Sequence, residues 1–168
     1  MPHLSSHPAS NTGERQQALE LNGPHLDLII RNPALIHFQE ADFDKRGLAP
    51  YVTCSALVDT GATAVVIDLR LAQSLGLRQT GIGNVIGVGG QQEAIKFAGQ
   101  LEVPQMGYIE IIEMIALRKG EVSHPVLLGR SFLKNFVTTF DGPSGIMTIA
   151  RPTTGYNPVP SEEDHAHI

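Results

Sequence analysis

Ala56-Leu57-Val58-Asp59-Thr60-Gly61-Ala62 is an apolar run that ends on a single carboxylate and a Gly-containing turn, and Val65-Val66-Ile67 carries the chain away from it. Alternation begins upstream at Tyr51, with Val52, Cys54, Ala56 and Val58 on one face and Tyr51, Thr53, Ser55 and Leu57 on the other. The pattern predicts a strand that delivers Asp59 into a tight turn and a β-branched strand that leaves it. If the chain carries chemistry, it belongs at Asp59.

Working outward, Asp68 is placed to cap a short helix whose Leu69, Ala72 and Leu75 share one side, and Gly76 supplies its left-handed stop. Thr80 to Gly90 then holds five glycines, at 81, 83, 87, 89 and 90. They do not form a dinucleotide-binding loop, because Ile86 stands where the third Gly of that fingerprint belongs and the segment follows a helix. A hairpin fits better, with Asn84-Val85-Ile86 and Ala94 to Phe97 as its arms and Gly87-Val88-Gly89-Gly90 at or near the tip. Leu101 to Pro104 and Tyr108 to Leu117 extend the β pattern, the second with apolar residues on both faces, which predicts cover on two sides. Pro125 to Leu133 reads as an apolar strand broken by Gly129 and leading into a brief helix. Val137 to Asp141 and Ile146 to Ile149 flank Gly142-Pro143-Ser144-Gly145, a hairpin signal.

Before the central stretch, His25 to Arg31 is a strand closed by Asn32-Pro33, Ala34 to Gln39 is expected as a second, and Glu40 to Gly47 as an exposed charged loop. Residues 1–22 lack apolar periodicity and are expected to form a mobile N-terminal arm. Residues 23–152 are the folded domain, and 153–168, rich in Pro, acid and His, a C-terminal tail.

With 168 residues, one domain plus tails accounts for the length. Trp is absent and aromatics make up only 5%, so the core must be aliphatic. The net charge of -5, with no basic cluster, argues against nucleic acid as a partner. Cys54 is the one cysteine, which rules out an intrachain disulfide and a Cys-based metal cage and fits a cytoplasmic location. It reads as a small core residue. His165-Ala166-His167 is a tail pair and no preformed metal site, so no metal and no cofactor are expected. No stretch has the length and apolarity of a membrane span, and no membrane partner is expected.

Asp59-Thr60-Gly61-Ala62, the Gly-rich hairpin after it and Leu127-Leu128-Gly129-Arg130 occur in an order that resembles the retropepsins, the single-domain aspartic proteases of retroviruses and their bacterial and cellular relatives. The resemblance covers roughly residues 24–152 and implies an all-β, closed fold with one or two short helices, acting as a symmetric homodimer. It implies an aspartic endopeptidase that takes extended peptide segments. Asp59 would be catalytic, with Thr60, Gly61 and Ala62 supporting the active-site loop. Gly61, Thr63, Gly87, Val88, Gly89 and Gly90 would meet substrate, the last four as a flap, and Leu128, Gly129 and Arg130 would support the loop from behind.

Acid-base hydrolysis needs two carboxylates, one taking a proton from water and the other offering one to the scissile carbonyl. The chain holds no second Asp-Thr-Gly or Asp-Ser-Gly, so the partner of Asp59 must be the same residue of a second copy. The sequence departs from viral members at Thr63, where they commonly carry an acid that pairs with the Arg of the apolar-apolar-Gly-Arg segment. Arg130 must therefore find another partner. The competing expectation is a catalytically silent dimeric peptide-binding or scaffold module of the same fold.

Overall fold

The computed structural model describes residues 11–87, 90–118 and 123–152. Nine strands and four short helices follow one another in these segments, with β1 (His25–Arg31), β2 (Tyr51–Val58) and β3 (Val65–Ile67) carrying the first half of the sheet. β4 (Arg78–Gly87) and β5 (Gly90–Val103) form the long hairpin, β6 (Tyr108–Leu117) returns along β5, and β7 (Val126–Leu128) is a three-residue insert. β8 (Val137–Asp141) and β9 (Ile146–Ala150) are a separate two-stranded sheet. The helices are α1 (Thr12–Asn22), α2 (Glu40–Arg46), α3 (Leu69–Ser74) and α4 (Arg130–Leu133).

The large sheet runs β1-β2-β7-β3-β6-β5-β4, and a further pairing of β1 with β5 joins its ends, so six strands close on themselves and β4 stands outside as the hairpin arm. Closure removes sheet edges that would otherwise invite non-native pairing. The expected closed all-β fold is therefore present, with four helices among the described residues where one or two were expected. Alternation supplies the core: Leu26, Leu28 and Ile30 of β1, Ala56 and Val58 of β2, Val65 and Ile67 of β3 and Leu128 of β7 all point inward. Burying a Leu or Ile side chain of this kind contributes about 1.5–3 kcal/mol. Tyr108, Phe132 and Phe136 seal one end, with ring centroids 4.8–5.6 Å apart.

Four expectations need correction. Residues 12–22 of the supposed mobile arm form α1: Asn11 caps it by accepting from Glu14 N, and Arg15 and Gln16 donate to Ser144 O and Pro143 O at 3.2 and 2.6 Å. Residues 1–10 and the tail at 153–168 lie outside the described residues. Ala34 to Gln39 is no strand, because Asn32 turns the chain into a 3₁₀ turn at Pro33–Leu35 by accepting from Ala34 N, while its amide donates to Gly76 O and Leu75 O. The charged loop is α2, started by the Asp42 carboxylate accepting from Gln39 N, anchored by buried Phe43 and stopped by left-handed Gly47. β6 is covered on both faces only at Met114, Ile115 and Ala116; Ile109 and Ile111 are 64% and 60% exposed.

Candidate active site

β2 and β3 flank the Asp59 loop in sequence yet do not pair with each other. β7 lies between them, parallel to β2 through Leu57↔Leu127 and Val58↔Leu128 and antiparallel to β3 through Val66↔Leu127 and Ile67↔Val126. The loop is thus the crossing from one side of β7 to the other. Asp59 N donates to Leu128 O at 3.1 Å, which continues the β2–β7 ladder to the catalytic candidate itself.

Within the loop, Asp59 Oδ1 accepts from Gly61 N at 2.8 Å and Asp59 O accepts from Ala62 N at 3.2 Å, so the turn closes on its own carboxylate. Asp59 is half-buried, while Thr60, Gly61 and Thr63 are exposed. From behind, Arg130 N donates to Ala62 O at 2.9 Å and Ser131 N to Thr63 O at 2.8 Å. The backbones approach so closely at Gly129 that a Cβ there would stand 2.7 Å from Ala62 O and closer still to Ala64 O. Gly129 itself has φ -83°, an ordinary value, so contact and not backbone conformation demands glycine.

Arg130 has found its partners. Its Nη1 donates to Thr60 O at 2.7 Å and Gly61 O at 3.2 Å, and its Nη2 donates to Thr63 Oγ1 at 3.0 Å. The planar guanidinium serves three acceptors of the loop at once, a geometry that a lysine ammonium does not reproduce. Thr63, a neutral residue, thus engages Arg130 through its hydroxyl.

The structure brings Asp59 to Thr63 together with Leu128 to Arg130. Gly87 and Gly90 are the last pair of the β4–β5 ladder, at the far end of the arm, and Val88 and Gly89 lie outside the described residues. Among the described residues no hydrogen bond joins this arm to the Asp59 loop. A feature that residue-by-residue reading missed is a cross-strand row, Leu57–Leu127–Val66–Ile115, built by successive pairings of β2, β7, β3 and β6. Its first three members are half-buried on the face opposite the core, immediately before the loop. The signal was the presence of apolar residues at both parities of these strands.

Cys54 sits on the inward parity of β2 and packs against the core. Burial, reinforced by the nearby Asp27 carboxylate, pushes its thiol up from the ordinary 9.0 to about 11. It is a packing residue and a poor nucleophile at neutral pH. No three metal-ligating side chains converge among the described residues, and no helix among them is long and apolar enough to cross a membrane.

A family model described as "gag-polyprotein putative aspartyl protease" matches residues 51–135, the segment from the start of β2 through α4. No curated protein matches the chain. Among solved structures, the EIAV protease in complex with the inhibitor HBY-793 is 19% identical over 66% of this chain and 85% of its own, with a TM-score of 0.46. A retropepsin-like aspartic protease from Rickettsia conorii is 21% identical over 73% of this chain and 97% of its own, with a TM-score of 0.44. The retroviral protease-like domain of Ddi1 from Leishmania major is 17% identical over 62% and 88%, with a TM-score of 0.40. At these identities and TM-scores the three likenesses add no weight to the family match.

Proposed function

Because the chain belongs to the gag-polyprotein aspartyl protease family, we propose that it is a homodimeric aspartic endopeptidase whose catalytic dyad is Asp59 from each of two copies. The observation that carries this reading is the loop itself. It holds one half-buried carboxylate at a strand end, beside exposed backbone, and the chain has a single such motif.

Two facing carboxylates cannot both ionise cheaply, so the pair shares a proton. The ionised member takes a proton from water as the oxygen attacks the peptide carbonyl carbon, and the protonated member gives its proton to the carbonyl oxygen. Proton transfer to the nitrogen then lets the tetrahedral intermediate collapse, breaking the C–N bond. Gly61 N is committed to Asp59 Oδ1, which fixes the orientation of the carboxylate. The Leu57–Leu127–Val66 row offers an apolar wall for substrate side chains next to the scissile bond, and Thr63, Gly87 and Gly90 add polar and backbone contacts along an extended peptide.

The test is cleavage of a peptide mixture by the full chain beside Asp59→Asn at several pH values, with fragments read by mass spectrometry. Fragments from the native chain and none from Asp59→Asn are expected. Cleavage that survives the substitution refutes the assignment.

A further inference from the structure

Resting on the endopeptidase reading above, we infer that a groove on the outer face of the closed sheet, remote from Asp59, is a second site for substrate and takes an extended peptide segment with an acidic residue between apolar ones. The groove encloses about 530 Å³, within the range of pockets that hold small ligands. Its floor is a cross-strand row: Tyr51 of β2 faces Arg31 of β1, Arg31 faces Gln100 of β5, and Gln100 faces Ile111 of β6. Alternation turns these four side chains outward, because their chain neighbours Val52, Ile30, Leu101 and Ile112 pack into the core. The wall is the connection between β1 and β2, through Ile36, Phe38 and Pro50. Asn32 pins that connection by donating to Leu75 O and Gly76 O, and buried Phe43 anchors α2 within it. The groove is therefore formed before a ligand arrives.

Charge selects the acidic residue. The Arg31 guanidinium carbon stands 4.7 Å from the centroid of the Tyr51 ring, and Arg31 Nε donates to Glu102 Oε1 at 2.8 Å, an oxygen that also accepts from Gln100 Nε2 at 2.8 Å. Neither Nη group of Arg31 meets an acceptor among the described residues. A second guanidinium, that of Arg46, stands 4.9 Å over the Phe38 ring of the wall, and no carboxylate pairs with it among the described residues. Two cations stacked on the aromatic rings of the groove thus face Glu102, the one carboxylate that lines it. A guanidinium held flat on a ring keeps its N–H edge for a planar acceptor, and a carboxylate matches that edge.

The row itself selects an extended peptide. Apolar surface lies at both of its ends, Tyr51 and Ile36 at 49% and 56% exposure on one side of Arg31 and Ile111 at 60% on the other. Three strand spacings of ~4.8 Å make the row about 14 Å wide, the reach of about four extended residues. Every second side chain of such a peptide faces the same way, so an acid over Arg31 sets the apolar residues two positions before and after it against Ile111 and against Tyr51 and Ile36. Tyr51 starts the eight-residue strand that ends beside Asp59, about 25 Å away at ~3.3 Å per residue. The acidic residue therefore lies at least about seven residues from the scissile bond. Contacts so far from the reacting atoms are made equally in the bound substrate and in the transition state, and they lower KM without raising kcat.

The experiment measures binding on the full chain carrying Asp59→Asn, so that nothing is cut. The probe is fluorescein-Gly-Ile-Thr-Glu-Thr-Leu-Gly-amide, followed by anisotropy beside its Gln-for-Glu counterpart. The Glu peptide should bind about tenfold or more tightly than the Gln peptide. Adding Arg31→Gln should abolish that preference. Adding Ile36→Asp, at an exposed wall position where the fold is not at stake, should weaken the Glu peptide about tenfold, while Leu21→Asp on α1 should change nothing; circular dichroism verifies each fold. With Asp59 restored, the best-cleaved peptide of the mixture is joined to the probe sequence through a Gly-Ser linker of about ten residues. Its KM should rise about tenfold on Ile36→Asp with kcat unchanged. Glu and Gln probes that bind alike, binding indifferent to both Arg31→Gln and Ile36→Asp, or displacement of the probe by a cleavable peptide lacking the acidic segment would each overturn the proposal. A chain that binds the probe in the expected pattern yet cleaves no peptide refutes the catalytic reading and leaves the groove assignment standing; one that cleaves peptides but shows no Glu preference does the reverse.

Discussion

Replacing Gly129 with alanine adds one methyl group, and its cost can be worked from the structure. The new Cβ would stand 2.7 Å from Ala62 O and 2.8 Å from Ala64 C, with Ala64 O nearer still. All three atoms are backbone, held by β3 on one side and the Asp59 turn on the other, so none can rotate away. Relief requires β7 and the 62–64 segment to separate. That movement costs about 1–3 kcal/mol in overpacking. It also stretches the Arg130 N to Ala62 O and Ser131 N to Thr63 O hydrogen bonds, at about 0.5–1.5 kcal/mol each. A total of about 4 kcal/mol corresponds to a fall in Tm of roughly 10 °C for a domain of this size. Thermal unfolding followed by circular dichroism measures it. Gly142→Ala is the control, since nothing lies within 4 Å of a Cβ at that position, and its Tm should move by no more than about 2 °C. A Gly129→Ala protein that melts within 2 °C of the native one refutes the reasoning.

Further outcomes are expected at Arg130 and Cys54. Arg130→Met keeps the side-chain stem but removes the donors to Thr60 O, Gly61 O and Thr63 Oγ1, so unfolding stability should fall by about 1–2 kcal/mol and peptide cleavage should lose kcat more than it gains KM. Arg130→Lys should not restore kcat; full restoration would show that charge alone suffices. Cys54, with its thiol raised to about 11, should have about one thiol in a thousand ionised at pH 8 and react slowly with iodoacetamide until the protein is unfolded. Because the folded value lies above the ordinary 9.0, the burial of the neutral thiol stabilises the fold fully below pH 9, and this contribution is lost as pH rises towards 11. Equal alkylation rates for folded and denatured protein would contradict it.

The Asp59 loop and its flanking strands were legible because strand alternation, a helix cap at Asp68 and a glycine stop are local signals, and here the local signals agree with the fold. α1 was not legible for the opposite reason. It buries none of its residues, so it carries no apolar stripe, and what fixes it are two bonds to carbonyls of a turn more than 120 residues away. α2 hid behind its charges, with Phe43 as its one buried residue; the Gln39 to Asp42 spacing before a Gly stop was the readable clue. At Ala34 to Gln39 the β-prone composition lost to Asn32, whose side chain ties the turn to the end of α3. Within the site, the sequence could mark Arg130 as unpaired with an acid but not find its acceptors, because two of the three are backbone oxygens and have no residue identity.

The insertion of β7 between β2 and β3 also sets an order in time. A ribosome releases Asp59 about seventy residues before it releases Arg130, which shapes the loop from the far side. During that interval the two strands around the carboxylate can be linked only the long way round the sheet, through β1, β5 and β6, and the loop must wait for a contact of long sequence separation to close. The nascent chain therefore carries its acidic residue without the mould that orients it. The loop takes its final form only once the stretch from Val126 to Ser131 has been made and slots into place.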